Sequence, residues 1–257
     1  MPTARLYNDP VELLPIQTPI LRPGDDLAAI LLKYGTIQSD DIVAVSSKAV
    51  ATVEGRRIDY KNIRPTPEAH AWAARCGGSP EFRQAILEET ARMNGTILPG
   101  CPQAMLTELK PGGFPEGVLL AANAGLDESN VQSGCCIGWP IDPVRSVQLL
   151  HKQLHTAVLL TDSTCRPRRL GVTALALTVS GFDPLRSLIG MKDLFGKDLR
   201  LTQEAVADQL ATAANMLMGN AGESVPAMII RNHGIPFSNF EGWVPGIAPK
   251  DDLFGML

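Results

Sequence analysis

Residues 118–131, with the sequence VLLAANAGLDESNV, decide most about the fold of this chain. The segment begins with an apolar run, which predicts a buried strand. That strand enters a turn of small and polar residues, in which Gly125 can adopt a positive φ without strain. Asp127 then offers carboxylate oxygen, the ligand type that Mg²⁺ and Mn²⁺ prefer, and Ser129 and Asn130 add neutral polar groups. An ordinary Asx-rich turn has the same composition, so this segment alone leaves both interpretations open.

A second segment, residues 157–169 with the sequence AVLLTDSTCRPRR, favours the metal interpretation. Again an apolar strand runs into a carboxylate, Asp162, which is followed by hydroxyls and arginines. A carboxylate beside the Ser163 hydroxyl suits a metal that also contacts phosphate, and Arg166 and Arg169 supply forked donors for phosphate or carboxylate. The alternative is that Asp162 and Ser163 cap a turn and the arginines are solvated. Two aspartates at strand ends favour a metal-phosphate site.

Composition and charge place the chain among ordinary globular proteins. Of its 257 residues, 45% are hydrophobic and 19% are charged, and the net charge of −4 offers no basic surface for nucleic acid. No apolar run approaches the ~20 residues that a membrane-spanning helix needs. Residues 1–5 lack the features of a signal peptide, so we expect a cytoplasmic protein that binds neither nucleic acid nor membrane.

The cysteines do not follow a metal or disulfide pattern. There are five of them, and no two have Cys-x-x-Cys spacing, which argues against a zinc site and a disulfide framework. We interpret the neighbours Cys135 and Cys136 as small buried residues. His151 and His155 have the i, i+4 spacing that metal sites use, but this spacing is more typical of a solvated helix face.

Hydrophobic periodicity predicts a mixed α/β (α+β) fold. Helices are predicted over residues 24–34, 67–76, 80–93, 143–154 and 202–218, and strands over 42–45, 118–122, 175–179 and 225–230, besides the strand before Asp162. Thr202 is expected to cap the last helix. The buried stripe of that helix is expected to contain Val206, Leu210, Ala213 and Leu217.

The remaining segments are interpreted as loops or exposed faces. Residues 95–117, rich in Gly and Pro, indicate a long loop near a site or a dimer contact. The proline- and aromatic-rich chain after Arg231 indicates an extended arm, packed on the body or on a partner subunit. Glu88 and Glu89 are consistent with a solvated helix face. Lys48 follows a strand closely and could reach a phosphate there, although a surface lysine is equally common.

Several short blocks occur in a fixed order over nearly the whole length of the chain. The blocks are residues 23–27 (PGDDL), 43–48 (VAVSSK) with 54–56 (EGR), 122–131 (ANAGLDESNV), 161–163 (TDS) with Arg166 and Pro167, 193–199 (DLFGKDL), Thr202 with 205–208 (AVAD), and 217–221 (LMGNA). No single block is decisive, but the ordered set resembles the coenzyme F420:gamma-glutamyl ligase family.

The resemblance implies both a fold and an activity. It implies a single two-lobed domain over residues 1–257 in an intertwined homodimer. Such proteins join L-glutamate to the lactyl carboxylate of a deazaflavin coenzyme precursor with GTP as co-substrate, through an acyl phosphate. Two divalent ions, Mg²⁺ or Mn²⁺, are implied because a carboxylate must approach a triphosphate. K⁺ is a further candidate cation.

The resemblance also assigns roles to individual residues. Asp127, Asp162 and Lys48 are the catalytic residues that it implies. The implied metal ligands are Asp127, Asp162, Ser163 and Glu223, and the implied substrate contacts are Arg166 and Arg169. The implied nucleotide contacts are Leu14, Pro15, Ile16, Gln17, Ser47, Lys48, Asn130, Gly219, Asn220, Ala221 and Gly222. The match at Glu223 requires a shift of one residue relative to the family pattern.

Departures from the family pattern leave two functions open. Thr52 replaces a second lysine, and residues 187–190 (SLIG) lack an aspartate and an arginine that the family has. The first function is an amide ligase that uses GTP or ATP and joins L-glutamate to a carboxylate acceptor, either the deazaflavin or another. The second is a non-catalytic homologue that binds a nucleotide or a phosphorylated metabolite. Retention of Asp127 and Asp162 favours the ligase.

Overall fold

The computed structural model of the chain describes residues 9–254, which form two compact units. The first unit comprises residues 9–20, Asp26–Ser47 and Asp142–Val244, and the second comprises Leu21–Asp25, Lys48–Ile141 and residues 245–254. Residues 1–5, for which the sequence predicts no signal peptide, lie outside the described range. No helix within residues 9–254 combines the length and apolar character that a membrane crossing requires.

The described residues form a mixed α/β fold, which confirms the predicted class. The strands are β1 (Glu12–Ile16), β2 (Ile42–Ser46), β3 (Arg57–Asp59), β4 (Thr96–Leu98), β5 (Leu106–Leu109), β6 (Leu119–Ala122), β7 (Cys135–Ile137), β8 (Ala157–Cys165), β9 (Val172–Phe182), β10 (Arg186–Ser187), β11 (Gln203–Glu204), β12 (Ala227–Arg231) and β13 (Phe237–Trp243). The α-helices are α1 (Leu27–Tyr34), α2 (Ser47–Val53), α3 (Pro67–Cys76), α4 (Pro80–Arg92), α5 (Pro143–Leu154) and α6 (Val206–Met218).

The first unit is built on a six-stranded sheet with the strand order β1-β12-β2-β8-β9-β13. Strands β2 and β8 run parallel, and the other neighbouring pairs are antiparallel. Helix α6 packs on this sheet through its alanines, including Ala211 and Ala214, in one buried cluster with Leu159 and Met228. Small side chains allow the helix to approach the sheet closely, which fixes the position of the loop that follows α6.

The start and the buried face of α6 both differ from the prediction. The helix begins at Val206 with Ala205 as its N-cap, and Thr202 does not cap it. The reason is that Gln203 and Glu204 pair with β10, which keeps the backbone extended up to that point. The buried residues of α6 are Val206, Ala207, Ala211, Ala214 and Met218, so most of the buried stripe lies one position after the predicted one.

One further prediction for the first unit is wrong, and one is made more specific. Asp162 was expected after the end of its strand, but β8 continues to Cys165 because residues 158–165 pair with β9. The chain after Arg231 was expected to be an extended arm on the body or on a partner subunit, and its strand β13 is extended, pairs with β9 and completes the sheet. In both cases pairing with β9 overrides the local composition, which is rich in polar residues, glycine or proline.

The second unit contains a three-stranded sheet, β4-β5-β6, and the two-stranded pair β3-β7. Residues 95–117 are therefore not one irregular loop, because β4 and β5 lie within them. Strand β6 is not buried as predicted, since its residues are half-buried or exposed in alternation. This pattern fits its place at the edge of the sheet, where it pairs with β5. Cys135 and Cys136 are buried in β7, as predicted.

Candidate functional site

One edge of the six-stranded sheet gathers several of the predicted site segments. Strands β2 and β8 are parallel, and β2 ends where Ser46 pairs with Thr161, while β8 continues past this point to Cys165. Strand β12 begins at the same edge, where the Ser46 N–H donates to the Pro226 carbonyl at 2.9 Å. Strand β1 ends there as well, since Ile16 pairs with Ala227. The topology thus brings four predicted segments to this edge. They are residues 14–17, Ser47, residues 162–163 and residues 219–223.

The first predicted segment, residues 14–17, is mainly a strand segment. Leu14, Pro15 and Ile16 belong to β1, which the sequence did not predict as a strand. Ile16 is fully buried in the core, Leu14 is half-buried, and Pro15 and Gln17 are exposed. Of this group, the side chains of Pro15 and Gln17 are therefore the ones that present most surface to a ligand. Ser47 begins α2 and is buried.

Asp162 and Ser163 lie near the far end of β8. Asp162 is half-buried and Ser163 is exposed, and the Asp162 Oδ1 atom accepts the Ser163 N–H at 2.9 Å. Arg166 and Arg169 are exposed in the turn after β8, where the Arg169 N–H donates to the Arg166 carbonyl at 3.2 Å. This end of β8 therefore presents one carboxylate, one hydroxyl and two guanidinium groups within a few residues. These are the groups that a phosphate-bound metal and its phosphate would require.

The loop between α6 and β12 folds around the carboxylate of one of its own residues, Glu223. Gly219 has a φ of +76°, and a Cβ atom there would lie 2.3 Å from Cδ of Glu223. The Ala221 N–H donates to Oε2 of Glu223 at 2.8 Å. Asn220 and Gly222 are exposed. Glycine at position 219 is thus favoured by the positive φ, and any Cβ atom there would displace the Glu223 side chain that folds against it.

The second unit contains a cluster of three polar residues that pairs Lys48 with Asp127. The Lys48 ammonium forms an ion pair with Oδ2 of Asp127 and donates to Oγ of Ser129 at 2.7 Å. It also lies 3.3 Å from the Ser129 carbonyl oxygen. The Ser129 N–H donates to Oδ1 of Asp127 at 2.7 Å, and its hydroxyl donates to Oδ2 at 2.8 Å. Lys48 is therefore bound within its unit and is not an unattached surface lysine.

These contacts keep the Asp127 carboxyl charged. Partial burial raises the pKa of Asp127, but the Lys48 ammonium and the Ser129 N–H and hydroxyl lower it by more. The resulting pKa lies below the ordinary value of 3.8. The side chain of Asp127 is 44% exposed and that of Lys48 is 28% exposed, so both groups also meet solvent. The cluster thus offers an ionised carboxylate at neutral pH, paired with the Lys48 side chain.

The backbone around Asp127 is fixed by a tight turn and a short bridge. Asn123 and Ala124 have φ of 53° and Gly125 has φ of 74°, and this turn is followed by a bridge between Asp127 and Ile137. Both backbone hydrogen bonds of that bridge are formed, at 3.0 and 2.9 Å. A Cβ atom at position 125 would lie 2.7 Å from the Trp139 ring, so only glycine fits. The positive φ predicted for Gly125 is confirmed.

An ion network around the buried carboxylate of Glu89 supports the same turn. The Arg56 Nε donates to the Trp139 carbonyl at 3.1 Å, and its guanidinium pairs with Glu89 at 2.9 Å. Arg92 also pairs with Glu89, at 2.7 Å. Glu89 is buried, so its assignment to a solvated helix face is wrong. Glu89 can be buried because two arginines compensate the charge of its carboxylate.

Two neighbours of Asp127 complete its loop. The Tyr60 hydroxyl donates to the Glu128 carboxylate, and burial together with this bond raises the pKa of Tyr60 above its ordinary value of 10.0. Asn130 is exposed with a φ of 57°. The contact between Tyr60 and Glu128 was not predicted, because the two residues are 68 positions apart and no local pattern connects them.

The donor set at Asp127 fits a hard cation. Its carboxylate and the two oxygens of Ser129 converge on one positively charged group, the Lys48 ammonium, and oxygen atoms of these types are the ligands of Mg²⁺ and Mn²⁺. Over residues 9–254, no three side chains of His, Cys, Asp or Glu are grouped so that they could hold a metal ion by themselves. The metal set of Asp127, Asp162, Ser163 and Glu223 stays a prediction.

The chain is thus a mixed α/β protein with charged clusters at strand ends and in a tight turn. The F420-0:Gamma-glutamyl ligase family profile matches residues 15–232. The coenzyme F420:L-glutamate ligase of Methanopyrus kandleri is 35% identical over 94% of this chain and 92% of its own length. The ligase of the same name from Methanocaldococcus jannaschii is 34% identical over 94% and 95%, and that of Archaeoglobus fulgidus is 34% identical over 86% and 87%. The chain therefore belongs to the F420-0:gamma-glutamyl ligase family.

Proposed function

We propose that this protein is a ligase that joins L-glutamate to a carboxylate acceptor of the coenzyme F420 type. The observation that carries the proposal is the similarity to coenzyme F420:L-glutamate ligases over nearly the full length of both chains. The cytoplasmic location expected from the N-terminal sequence is part of the proposal.

We further propose that the reaction uses a nucleoside triphosphate, GTP or ATP, and an acyl phosphate. Divalent cations, when bound, would screen the charge between the acceptor carboxylate and the triphosphate. In the second unit, Asp127 and Ser129 would hold a cation, and Lys48 would bind a phosphate oxygen. In the first unit, Asp162, Ser163 and Glu223 are the assigned cation ligands. Arg166 and Arg169 are assigned to a carboxylate or phosphate of the substrates.

The substitution at Thr52 sharpens the role assigned to Lys48. The Thr52 hydroxyl donates to the Lys48 carbonyl at 2.7 Å, one helical turn back. Position 52 therefore supplies a backbone contact where the family pattern has a second lysine. With that cation missing, Lys48 carries more of the expected attraction for phosphate. The same substitution supports the second candidate, a homologue that binds a nucleotide or phosphorylated metabolite without catalysis.

Binding of GTP or ATP with Mg²⁺ is expected to raise the melting temperature of the wild-type protein. Ligand at 100 times its Kd stabilises the native state by about 2.7 kcal/mol, which corresponds to roughly 5–10 °C for a chain of this size. The Lys48→Ala variant should lose most of this increase in melting temperature, because it lacks the ammonium group that would bind phosphate. Asp162→Asn should reduce the shift only when Mg²⁺ is present. Differential scanning fluorimetry measures all of these shifts.

Lys110→Ala is the matched control for Lys48→Ala. Lys110 is exposed in the same unit, and its replacement changes the net charge by the same amount. The control should keep the full nucleotide shift. A wild-type protein whose melting temperature does not respond to any nucleotide, with or without Mg²⁺, would contradict the nucleotide proposal. If both lysine variants lose the nucleotide-induced shift equally, the effect of Lys48 comes from net charge alone.

We also propose that the protein is a homodimer. The two segments that first suggested a dimer, residues 95–117 and the chain after Arg231, both contain strands paired within their own units. A different segment supports the proposal, the hairpin arm of residues 186–204. Backbone bonds such as Gly190 N–H to the Leu199 carbonyl, at 2.9 Å, order this arm. It nevertheless exposes Leu194, Phe195 and Leu201 almost completely, as interaction surfaces do.

Phe195→Asp is expected to convert the dimer to a monomer. Loss of an aromatic anchor costs about 2 kcal/mol or more, roughly a 30-fold increase in the dimer Kd. Light scattering after size-exclusion chromatography at micromolar concentration measures the change. Ile20→Asp is the control, because Ile20 is an exposed apolar residue outside the arm. A wild type that is monomeric at this concentration would contradict the proposed dimer. A Phe195→Asp variant that is still dimeric would show that the arm is not the dimer interface.

A further inference from the structure

The Lys48 ammonium lies where three oxygen atoms converge. It contacts the Asp127 carboxylate, the Ser129 hydroxyl at 2.7 Å and the Ser129 carbonyl at 3.3 Å. An ammonium group has three N–H donors, and these contacts are enough to use all of them. The same oxygens are hard ligands of the kind that Mg²⁺ and Mn²⁺ take. The cluster is thus arranged as a cation site, and a side chain of the protein occupies it.

Both oxygens of the Asp127 carboxylate accept hydrogen bonds in this arrangement. Its Oδ1 atom accepts the Ser129 N–H at 2.7 Å, and its Oδ2 atom accepts the Ser129 hydroxyl at 2.8 Å as well as the Lys48 ammonium. The Ser129 hydroxyl accepts from Lys48 and donates to Asp127, so the three groups form a closed ring. A divalent cation that approaches Oδ2 therefore has to compete with a charge-assisted hydrogen bond.

We propose that Lys48 is a built-in competitor of the divalent cation at Asp127. Arrival of the cation displaces the ammonium from Asp127 and Ser129, and the released ammonium turns to a phosphate oxygen of the nucleotide. This inference rests on the proposed function, which supplies the cation and the phosphate-bearing ligand. The four-carbon stem of lysine allows such an exchange by rotamer changes alone.

The exchange makes the cation and the nucleotide depend on each other. Without ligands, the charges of Lys48 and Asp127 compensate each other, so the cluster attracts a cation only weakly. A nucleotide phosphate that binds the ammonium leaves the carboxylate uncompensated, which raises its affinity for the cation. By linkage, the bound cation raises the affinity for the nucleotide by the same factor. The direct contact between cation and phosphate adds to this coupling.

The test measures Mn²⁺ binding to nucleotide-free protein, by electron paramagnetic resonance of the free ion. Lys48→Met keeps the length of the side chain but removes the competing charge, and we expect it to bind Mn²⁺ about tenfold more tightly than the wild type. Lys48→Arg retains a cation and should show no gain. Lys110→Met, which changes the net charge equally at an exposed position, should match the wild type. Adding Asp127→Asn to Lys48→Met should remove the gain.

Equal Mn²⁺ affinity of the wild type, Lys48→Met and Lys110→Met would overturn the inference, and so would the absence of Mn²⁺ binding in all of them. These readouts do not depend on turnover. If the wild type ligates glutamate but Lys48→Met does not bind Mn²⁺ more tightly, the proposed function stands and the competition by Lys48 is contradicted. Circular dichroism shows whether Lys48→Met folds. If it does not, the test uses the wild type instead, in which the ¹⁵N resonances of the lysine ammonium groups are measured. A Lys48 signal, assigned with Lys48→Arg, that shifts on Mg²⁺ titration supports the exchange, and an unmoved signal overturns it.

Discussion

The Asp127→Asn variant is expected to ligate glutamate more than about 100-fold more slowly than the wild type. Removal of an outer partner of a metal ligand already costs roughly 10–100-fold in metal affinity or activity, and Asp127 is assigned as a direct ligand. The amide keeps an oxygen for the Ser129 N–H, but it loses the charge that pairs with Lys48. Because the pair is partly exposed, the stability of the fold should change by about 1 kcal/mol or less. Initial rates at saturating glutamate and nucleotide measure the effect.

Asp59→Asn is the control for this loss of activity. Asp59 is exposed in the same unit and accepts the Lys61 N–H at 3.1 Å, a contact that asparagine can maintain. The control removes the same charge and should retain the wild-type rate. An Asp127→Asn enzyme with an unchanged rate and unchanged metal dependence would show that Asp127 is no part of the catalytic machinery.

The Asp41→Ala variant is expected to lower the free energy of unfolding by about 1–3 kcal/mol, because the buried Asp41 carboxylate is lost and its hydrogen-bond donors are left without their acceptor. The Asp41 side chain is 0% exposed, and both of its oxygens accept from Arg231 at 2.8 Å. Oδ2 also accepts the Gln38 N–H at 2.7 Å. The substitution leaves the Arg231 charge without its carboxylate beside two central strands of the sheet. Urea denaturation followed by circular dichroism measures the loss.

Two further variants isolate the ion pair from other effects. Asp40→Ala removes an exposed carboxylate that attracts Arg231 more weakly than Asp41 does. It keeps the backbone carbonyl that accepts from His233, and it should cost less than about 0.5 kcal/mol. The double variant Asp41→Leu with Arg231→Met removes both charges and should recover part of the stability, as apolar replacements of buried pairs do. A loss of less than about 1 kcal/mol in Asp41→Ala would contradict the structural role of the pair.

Local chemistry made several helices predictable to the residue. Helices α3 and α5 begin with proline at the first position, and each has a capping side chain, Thr66 or Asp142, that accepts a backbone N–H of the first turn. These signals depend on neighbours in the sequence, so they survive in any tertiary context. The turn at Gly125 was predictable for the same reason, because its requirement for a positive φ is local.

Long-range pairing was not predictable from local patterns. The register of β8 with β9 draws Asp162 into a strand, and β13 joins the same sheet after a segment rich in proline and glycine. The candidate site depends on pairing of the same kind, since Lys48 and Asp127 are 79 residues apart. The sequence indicated both residues, Asp127 in the polar turn after an apolar run and Lys48 just after a strand, and the family resemblance assigned their roles. Their ion pair and the part that Ser129 takes in it became visible only in the folded structure.

The most direct test of the proposed ligase activity is the ligation reaction itself. Purified protein is incubated with coenzyme F420-0, L-glutamate, Mg²⁺ or Mn²⁺, and either GTP or ATP, and the products are separated and identified by mass spectrometry. If the protein is such a ligase, the acceptor gains one glutamyl residue, one nucleoside diphosphate and one phosphate are released for each bond formed, and no product forms when nucleotide or metal is omitted. Nucleotide and metal binding without any glutamylated product would contradict the ligase and leave the non-catalytic homologue as the better description.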